Sequence, residues 1–396
     1  MTRDFEDTYI VSACRTPIGS HGGGFRNVRS ADLSAVVANA AVERANLSKD
    51  VMQEVIWGEC HQQADQCNTA RVLAMKAGFP KETIGVTVNK VCTSGMYAII
   101  AGTREIRLGE TDVILAGGVE SMSSAPYVLR TARWGQKLQH GVMSDTVWEG
   151  FTCGISGQIM GQTAENLVEK HGISREEQDA VALRSQRNAC AAIDSGRFTD
   201  EIVPVPVPGA KGTVTMVDTD EHPRRDVTAE SLAHLKPLFK DGGTVTAGNS
   251  SGINDGAAAL VLMSSRRVRE TGAEPLARIV DYAFGGVEAE LMGYGPVPAV
   301  EKLLSKTDVT LDDIGLVEVN EAFAGQYLAV EKLLGLDRER TNVNGSGISL
   351  GHPVGCTGAR IVVTLVHEMI RREERLGLAT LCGMGGVATA LLVEAV

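Results

Sequence analysis

The chain has 396 residues, about twice what one hydrophobic core usually supports, so two or three domains are expected. With 43% hydrophobic and 22% charged residues it is too apolar for a disordered chain. A net charge of −11 without a basic tract excludes a nucleic-acid or anionic-membrane partner. No apolar run reaches the length of a membrane span, and neither the acidic start MTRDFEDTYI nor the end LLVEAV reads as a targeting signal, so a cytoplasmic location is expected. The eight cysteines are sparse and none forms a CxxC pair, which argues for reduced, buried thiols and against structural zinc or any other metal.

In chain order, short β-branched runs bounded by turn residues predict strands over 8–14, 54–60, 84–89, 111–118, 258–263, 276–283, 315–320, 378–382 and 389–394. Helical stretches lie between them, at 31–46 and 95–107, so an α/β layered core is expected. Residues 121–250 have a different texture, with WGQKLQHG, a VPVPVPG turn and a PRRDVT loop. Their clearest helix is ISREEQDAVALRSQRNACAAIDSG, where Ser174 and Glu177 have capping-box spacing and Ala182, Ser185, Ala189, Ala192 and Ile193 share a face. That stretch reads as an insertion on the layered core. The core also repeats: 86–118 runs VTVN, turn, small-residue helix, TDVILAGGVE, and 341–387 runs TNVN, glycine-rich turn, helix, LATLCGMGGV. A duplicated half-domain would place both polar turns at one shared interface.

Two patterns compete for the chemistry. Residues 383–388 match GxGxxA, but only eight residues follow, too few for the helix and strand of a dinucleotide site. Gly248-Asn249-Ser250-Ser251-Gly252 matches GxSxG after a strand-like run, so Ser250 with His352 as its base is an alternative of the α/β-hydrolase class. The segment NKVCTSGMYAI sets Cys92 where a strand turns into a helix, where unpaired N–H groups favour a thiolate; on this segment alone a buried structural cysteine is the better account. Gly95 would let another backbone or a ligand approach closely there. In NVNGSGISLGHPVGCTGAR, His352 sits on a rigid glycine turn from which it could deprotonate a thiol. Cys382 in LATLCGMGG and Asn320 in VEVNEAFAG end apolar strands, where active sites of layered α/β folds lie.

NKVCTSG, VEVNEAFA, SLGHPVGCTGAR and LCGMGG stand in the order and approximate spacing of the thiolase family, which the sequence resembles over its whole length. VTAGNSSGINDGAAALVLMS also resembles a family segment, which is a better account of GxSxG than a serine nucleophile. The resemblance implies an α/β, thiolase-like five-layered fold of two similar βαβαβαββ halves with an inserted loop domain. Here that means an N-terminal half at 1–120 and 251–275, a coenzyme-binding insertion at 121–250, and a C-terminal half at 276–396. It implies an acyltransferase that condenses two acetyl-CoA to acetoacetyl-CoA and runs the reverse thiolysis, or a broader-range 3-ketoacyl-CoA thiolase. A non-catalytic, acyl-CoA-binding relative is the third reading.

By the same resemblance, Cys92 is the nucleophile, His352 its base, Cys382 the α-carbon acid–base, and Asn320 the holder of an oxyanion water. The backbone N–H groups of Cys92 and Met384 would form an oxyanion hole. Arg224, Ser231 and Ser251 would contact the coenzyme, with Met160 and Phe323 beside the acyl group. Acetyl-CoA, acetoacetyl-CoA and free CoA are the implied partners, no cofactor is tightly bound, and the assembly is a homodimer or a homotetramer built as a dimer of dimers. Two departures stand out: Met384 replaces a glycine common in relatives, and Ile159 replaces a histidine common in biosynthetic ones. Should residue 384 require a positive φ, methionine would be strained there; in an ordinary conformation its N–H serves as well.

Overall fold

The computed structural model describes residues 6–396. All nine predicted strands form and join one sheet, in the order Leu316–Val319, Leu376–Gly383, Val387–Ala395, Ala277–Gly286, Thr8–Arg15, Asn254–Ser264, Val113–Ser121, Glu54–Gly58, Ile84–Val88. A short tenth strand, Gly19–Ser20, pairs with Asn254–Ser264 and was not foreseen. Strands Val113–Ser121, Asn254–Ser264, Leu316–Val319 and Leu376–Gly383 are buried on both faces, whereas the outermost strand Ile84–Val88 has no buried residue.

The repeat is visible in the pairing. Outward from the junction of Thr8–Arg15 with Ala277–Gly286, each half runs two antiparallel pairs and then a parallel one. The N-terminal half ends in a further parallel strand, Ile84–Val88, beside Glu54–Gly58. Its counterpart in the C-terminal half shrinks to one parallel bridge, Val317 with Thr341.

The helices that follow these two outer positions, Ser94–Leu108 and Val354–Arg372, pack against one another at the centre. Glycines permit the contact: a Cβ on Gly95 would lie 2.7 Å from the Ala359 nitrogen and 2.9 Å from the Gly355 oxygen, and one on Gly358 would strike the Met96 backbone. The expectation for Gly95 therefore holds, with a neighbouring helix as the second backbone. Because contact occurs near both N-termini, the two polar turns face one region.

Within 121–250, helix Arg175–Asp194 starts on the expected box: the Glu177 N–H donates to Ser174 Oγ at 3.1 Å, and the Ser174 N–H donates to the Glu177 carboxylate at 2.7 Å. Ala182, Ser185, Ala189 and Ala192 are buried, with Ile193 half-buried, as the face predicts. This stretch is tied to the first strand through fully buried Arg15, which pairs with Glu201 at 2.6 Å and Asp220 at 2.7 Å. Removing one partner would strand a buried charge, a loss of roughly 3–5 kcal/mol. Among the described residues no helix is long and apolar enough to cross a membrane.

Candidate active site

Cys92 lies in the tight turn between strand Ile84–Val88 and helix Ser94–Leu108. Val91 just before it has φ 47°, a left-handed conformation that costs a β-branched residue strain. Three side-chain bonds hold the turn: the Lys90 N–H donates to Ser94 Oγ (2.8 Å), Ser94 Oγ donates to the Val91 carbonyl (2.6 Å), and Thr93 Oγ1 donates to the Lys90 carbonyl (2.8 Å).

The backbone N–H groups of Met384 and of Cys92 itself favour the Cys92 thiolate. Even so, burial pushes this thiol up to about 11, and those two donors offset only part of the effect. The expectation of a thiolate favoured by the helix end is thus corrected. The helix begins at Ser94 with Thr93 as its cap, so Cys92 precedes the first turn and desolvation prevails.

Met384 is part of a three-residue loop between Gly383 and Val387, the last pair of the two C-terminal strands. The positive φ values of that loop fall on Gly385 (83°) and Gly386 (85°), and Met384 has none. Its side chain is therefore unstrained and its N–H is available. Cys382, one pair earlier, is buried, and its thiol is pushed strongly up by burial and then by the neighbouring Cys92.

His352 enters on the other turn, just before helix Val354–Arg372. Its N–H donates to Asn254 Oδ1 at 3.0 Å, and Gly351 (φ 102°) must be glycine because a Cβ there would collide with the Asn254 amide. Thr357 Oγ1 is 2.7 Å from His352 Nδ1 and donates its own proton to the Pro353 carbonyl at 2.9 Å. A hydroxyl has one proton to give: with that proton on the Pro353 carbonyl, Nδ1 carries hydrogen and Nε2 keeps its lone pair. That tautomer is the one a general base needs. Burial, with Arg360 adding to it, holds the imidazole down to about 3, so it rests neutral.

Asn320 ends strand Leu316–Val319 and is fully buried; its Nδ2 lies 3.5 Å from His352 Nδ1, and its Oδ1 has no protein partner. A buried amide oxygen without a partner is a place for an ordered water. Glu120 ties the start of helix Val354–Arg372 to the segment after strand Glu54–Gly58 by accepting from the Cys60, His61 and Gly355 N–H groups at 3.1, 2.9 and 2.9 Å. Thr357, Asn254 and Glu120 escaped the sequence reading. Thr357 at least stands inside a motif already singled out, five residues after the histidine.

The coenzyme candidates divide. Arg224 and Ser231 line a cavity of about 170 Å³ together with Gln186, His222, Ser250 and Ile348. Ser251, Met160 and Phe323 are not among its lining residues. The Ser251 N–H donates to the Ala322 carbonyl at 2.9 Å, while Phe323 meets Phe239 edge-on and shares an apolar cluster with Met160. In the same stretch Arg225 pairs with Asp194 and Lys240 with Glu169, whereas Arg224 and Lys236 make no ion pair among the described residues. Ser250 gives its hydroxyl proton to the Thr246 carbonyl at 2.6 Å and makes no bond to His352, so no serine–histidine pair exists there. A larger cavity of about 330 Å³, lined by Ile193, Phe198 and Asp218 among others, contains none of these groups.

Family models for "Thiolase, N-terminal domain" and "Thiolase, C-terminal domain" match residues 8–266 and 273–395. An acetyl-CoA acetyltransferase of Syntrophomonas wolfei is 49% identical over 100% of both chains. Among solved structures, Bacillus anthracis acetyl-CoA acetyltransferase superposes with a TM-score of 0.98 at 52% identity, covering 100% of each chain. Human mitochondrial 3-ketoacyl-CoA thiolase superposes with a TM-score of 0.96 at 44% identity, covering 99% of each.

Proposed function

The chain belongs to the thiolase family, and from that premise we propose that it is an acetyl-CoA acetyltransferase working through an acetyl group on Cys92. His352 Nε2 takes the Cys92 proton as the sulfur attacks the thioester carbon; the carbon–sulfur bond to CoA breaks and CoA leaves as the thiol. Cys382 gives its own proton to the departing CoA and, as the thiolate, then removes a proton from the α-carbon of a second acetyl-CoA, whose enolate oxygen is stabilised by the protonated Nε2 of His352 and a water on Asn320; His352 returns its proton to Cys92 as that sulfur is displaced. The new carbon–carbon bond displaces Cys92, and the thiolysis of acetoacetyl-CoA is the same path reversed. What carries this reading is that Cys92, on the turn before helix Ser94–Leu108, and His352, on the turn before helix Val354–Arg372, are brought to one region by the close packing of those two helices near their N-termini. Intact mass after acetyl-CoA and acid quench should show one acetyl group mapped to Cys92. An adduct on Ser250, or none, would overturn it.

In this reading 121–250 is the unit that takes up the coenzyme. Its anionic phosphates meet Arg224, with Ser231 and Ser251 as further contacts and Met160 and Phe323 at the acyl end. A short-chain preference follows if Met160 fills the space of a longer tail, because forced overpacking costs about 1–3 kcal/mol. The likeness to a 3-ketoacyl-CoA thiolase supports the broader-range alternative. A kcat/KM for 3-ketooctanoyl-CoA equal to or above that for acetoacetyl-CoA would decide for it. We read the assembly as a cytoplasmic homotetramer. Its support is the run of exposed apolar side chains between 127 and 155, where Trp134 is 88% and Leu138 99% accessible. A sedimentation mass of one or two chains would overturn that.

A further inference from the structure

The segment after strand Glu54–Gly58 reaches both catalytic turns. On the side of Cys92, the Cys60 thiol donates to the carbonyl of strained Val91 at 3.2 Å, and Asn89 Nδ2 donates to the Cys60 carbonyl at 3.3 Å. On the side of His352, the Cys60 and His61 N–H groups share the Glu120 carboxylate with the Gly355 N–H. Both Glu120 oxygens thus receive N–H donors, which favour the ionised form, and the group is fully buried. A buried charge calls for a counter-ion. Among the described residues no lysine or arginine lies within ion-pair distance of Glu120, but His61 Nδ1 is 3.5 Å from its Oε1. The His61 side chain is only 11% accessible, and neither ring nitrogen makes a closer hydrogen bond to another group. Gly150 closes the far side of the ring, where a Cβ would lie 2.5 Å from Nε2.

We propose that His61 is a positioning residue for the reaction: as an imidazolium it balances the buried Glu120 charge, and so keeps the Cys92 turn and the start of the His352 helix tied to one segment. The charged groups that face the ring are all acidic. They are Glu120 from strand Val113–Ser121, Glu59 from the same segment as His61, and Asp145 from the cap of helix Thr146–Gly150. Burial alone would lower the imidazole, but Glu120, then Glu59 and Asp145, outweigh it and raise the ring above its ordinary range. Glu59 adds little charge below neutrality, because burial and then Glu120 push its carboxyl up to about 7, although Thr69 donates to it. Near pH 6 the cluster therefore holds one negative and one positive charge. The folded ring titrates above its unfolded value of about 6.5. Its support is complete below pH 6.5 and is lost as the pH rises through the folded midpoint, which leaves Glu120 an unpaired buried carboxylate.

This inference rests on Cys92 and His352 being the reacting pair, yet its first two readouts need no turnover. Deuterium exchange at the imidazole C2 position can be read by mass on the tryptic peptide 50–71, where His61 is the one histidine. It gives the midpoint of the ring in the unaltered protein, which should lie above about 6.5. A midpoint at or below that value would overturn the proposal. His61→Gln keeps a donor of similar reach without the charge. Its urea midpoint should fall furthest below the parent's under about pH 6.5, and the gap should narrow as the pH rises past the midpoint of the histidine. A gap that stays constant from about pH 6 to about pH 9.5 would mean a packing role and would overturn it too. In acetoacetyl-CoA thiolysis at about pH 6.5, His61→Gln should lose about fivefold or more in kcat with KM for CoA within about twofold. His61→Lys, which restores a cation, should be at least about threefold faster than His61→Gln. If His61→Gln does not fold, judged by circular dichroism, the exchange midpoint in the parent decides. An unchanged kcat in His61→Gln, or a lysine variant no faster than it, would overturn the positioning role. No turnover in the parent itself, with the midpoint raised and the urea gap dependent on pH, would instead count against the catalytic reading of Cys92 and support the ion pair.

Discussion

The two halves of the molecule begin from one plan and end with different chemistry. In the N-terminal half a full strand, Ile84–Val88, leads through a tight, strained turn into the central helix, and the turn bears a thiol. In the C-terminal half the matching strand is one bridge at Thr341, and twelve residues, including the short helix Gly347–Leu350, intervene before helix Val354–Arg372. The longer turn bears an imidazole. A short turn fixes one sulfur by backbone strain and nearby hydroxyls. The longer one has slack, and it is held from outside by Asn254, Glu120 and Thr357. Duplication thus supplies two equivalent positions facing one region, and the two turns differ in length and in the group they carry, a thiol on the shorter and an imidazole on the longer.

The sharpest way to break this comparison is to remove each group in turn. His352→Ala should abolish both acetyl transfer to Cys92 and thiolysis, by about 10³-fold or more, since general acid–base work alone is usually worth roughly 10²–10⁴-fold. Cys382→Ser should spare acetylation of Cys92 and lose carbon–carbon bond formation. Rapid-quench mass measurement beside a condensation assay separates the two. Full condensation by Cys382→Ser would return the proton transfer to His352 alone.

Next in size is a pH effect. With its thiol held up to about 11, Cys92 has a thiolate fraction that grows about tenfold per pH unit throughout the neutral range. Its alkylation by iodoacetamide in the apo protein should therefore climb without a plateau from pH 7 to pH 10. A plateau below pH 9 would mean a thiolate stabilised by the helix end after all. The imidazole carries the opposite linkage. Because it is held down to about 3 in the fold, against about 6.5 when unfolded, it favours the folded chain above pH 6.5. That contribution is lost progressively as the pH falls from 6.5 towards 3.

A smaller effect tests the outside support of the longer turn. Thr357→Val keeps the shape and removes the acceptor on Nδ1, which frees the imidazole to take the wrong tautomer. We expect kcat to fall roughly 10–100-fold with little change in KM, and Thr357→Ser to restore most of it. An unimpaired valine variant would show that the turn alone orients the ring.

How much of this was legible in the sequence follows the same division. The strands could be read because each is a short apolar run closed by turn residues, and the box at Ser174 because its signal spans only four positions. Cys92, Cys382, Asn320 and His352 stood out as polar groups at strand ends or on glycine turns. What was hidden is reach: Asn254 meets His352 across 98 positions and Glu120 meets Gly355 across 235. The balance at Cys92 was hidden too: a helix start and burial pull its thiol in opposite directions, and the sequence does not say that burial is the larger. The Gly19–Ser20 strand has only two residues and no periodicity to detect.

The smallest effect bears on what both turns share, the helix contact beneath them. In helix Ser94–Leu108 two glycines face different neighbours. A Cβ on Gly95 would meet the backbone of the other central helix, at 2.7 Å from the Ala359 nitrogen, and backbone cannot swing aside. One on Gly102 would meet side-chain methyls of Leu262 and Ile114 at 3.1 and 3.2 Å, which can give by a few tenths of an ångström. Alanine also gains up to about 1 kcal/mol of helix propensity at either position. Gly102→Ala should therefore fall within about 1 kcal/mol of the parent, while Gly95→Ala, with overpacking of roughly 1–3 kcal/mol, should be the less stable of the two in urea. The activities should separate further, because widening the helix pair moves the Cys92 and His352 turns apart, and small misplacements of reacting groups are costly in rate. Equal stability and equal kcat for the two variants would show that the turns hold their geometry without the helices, and the close glycine contact would then be incidental to the site.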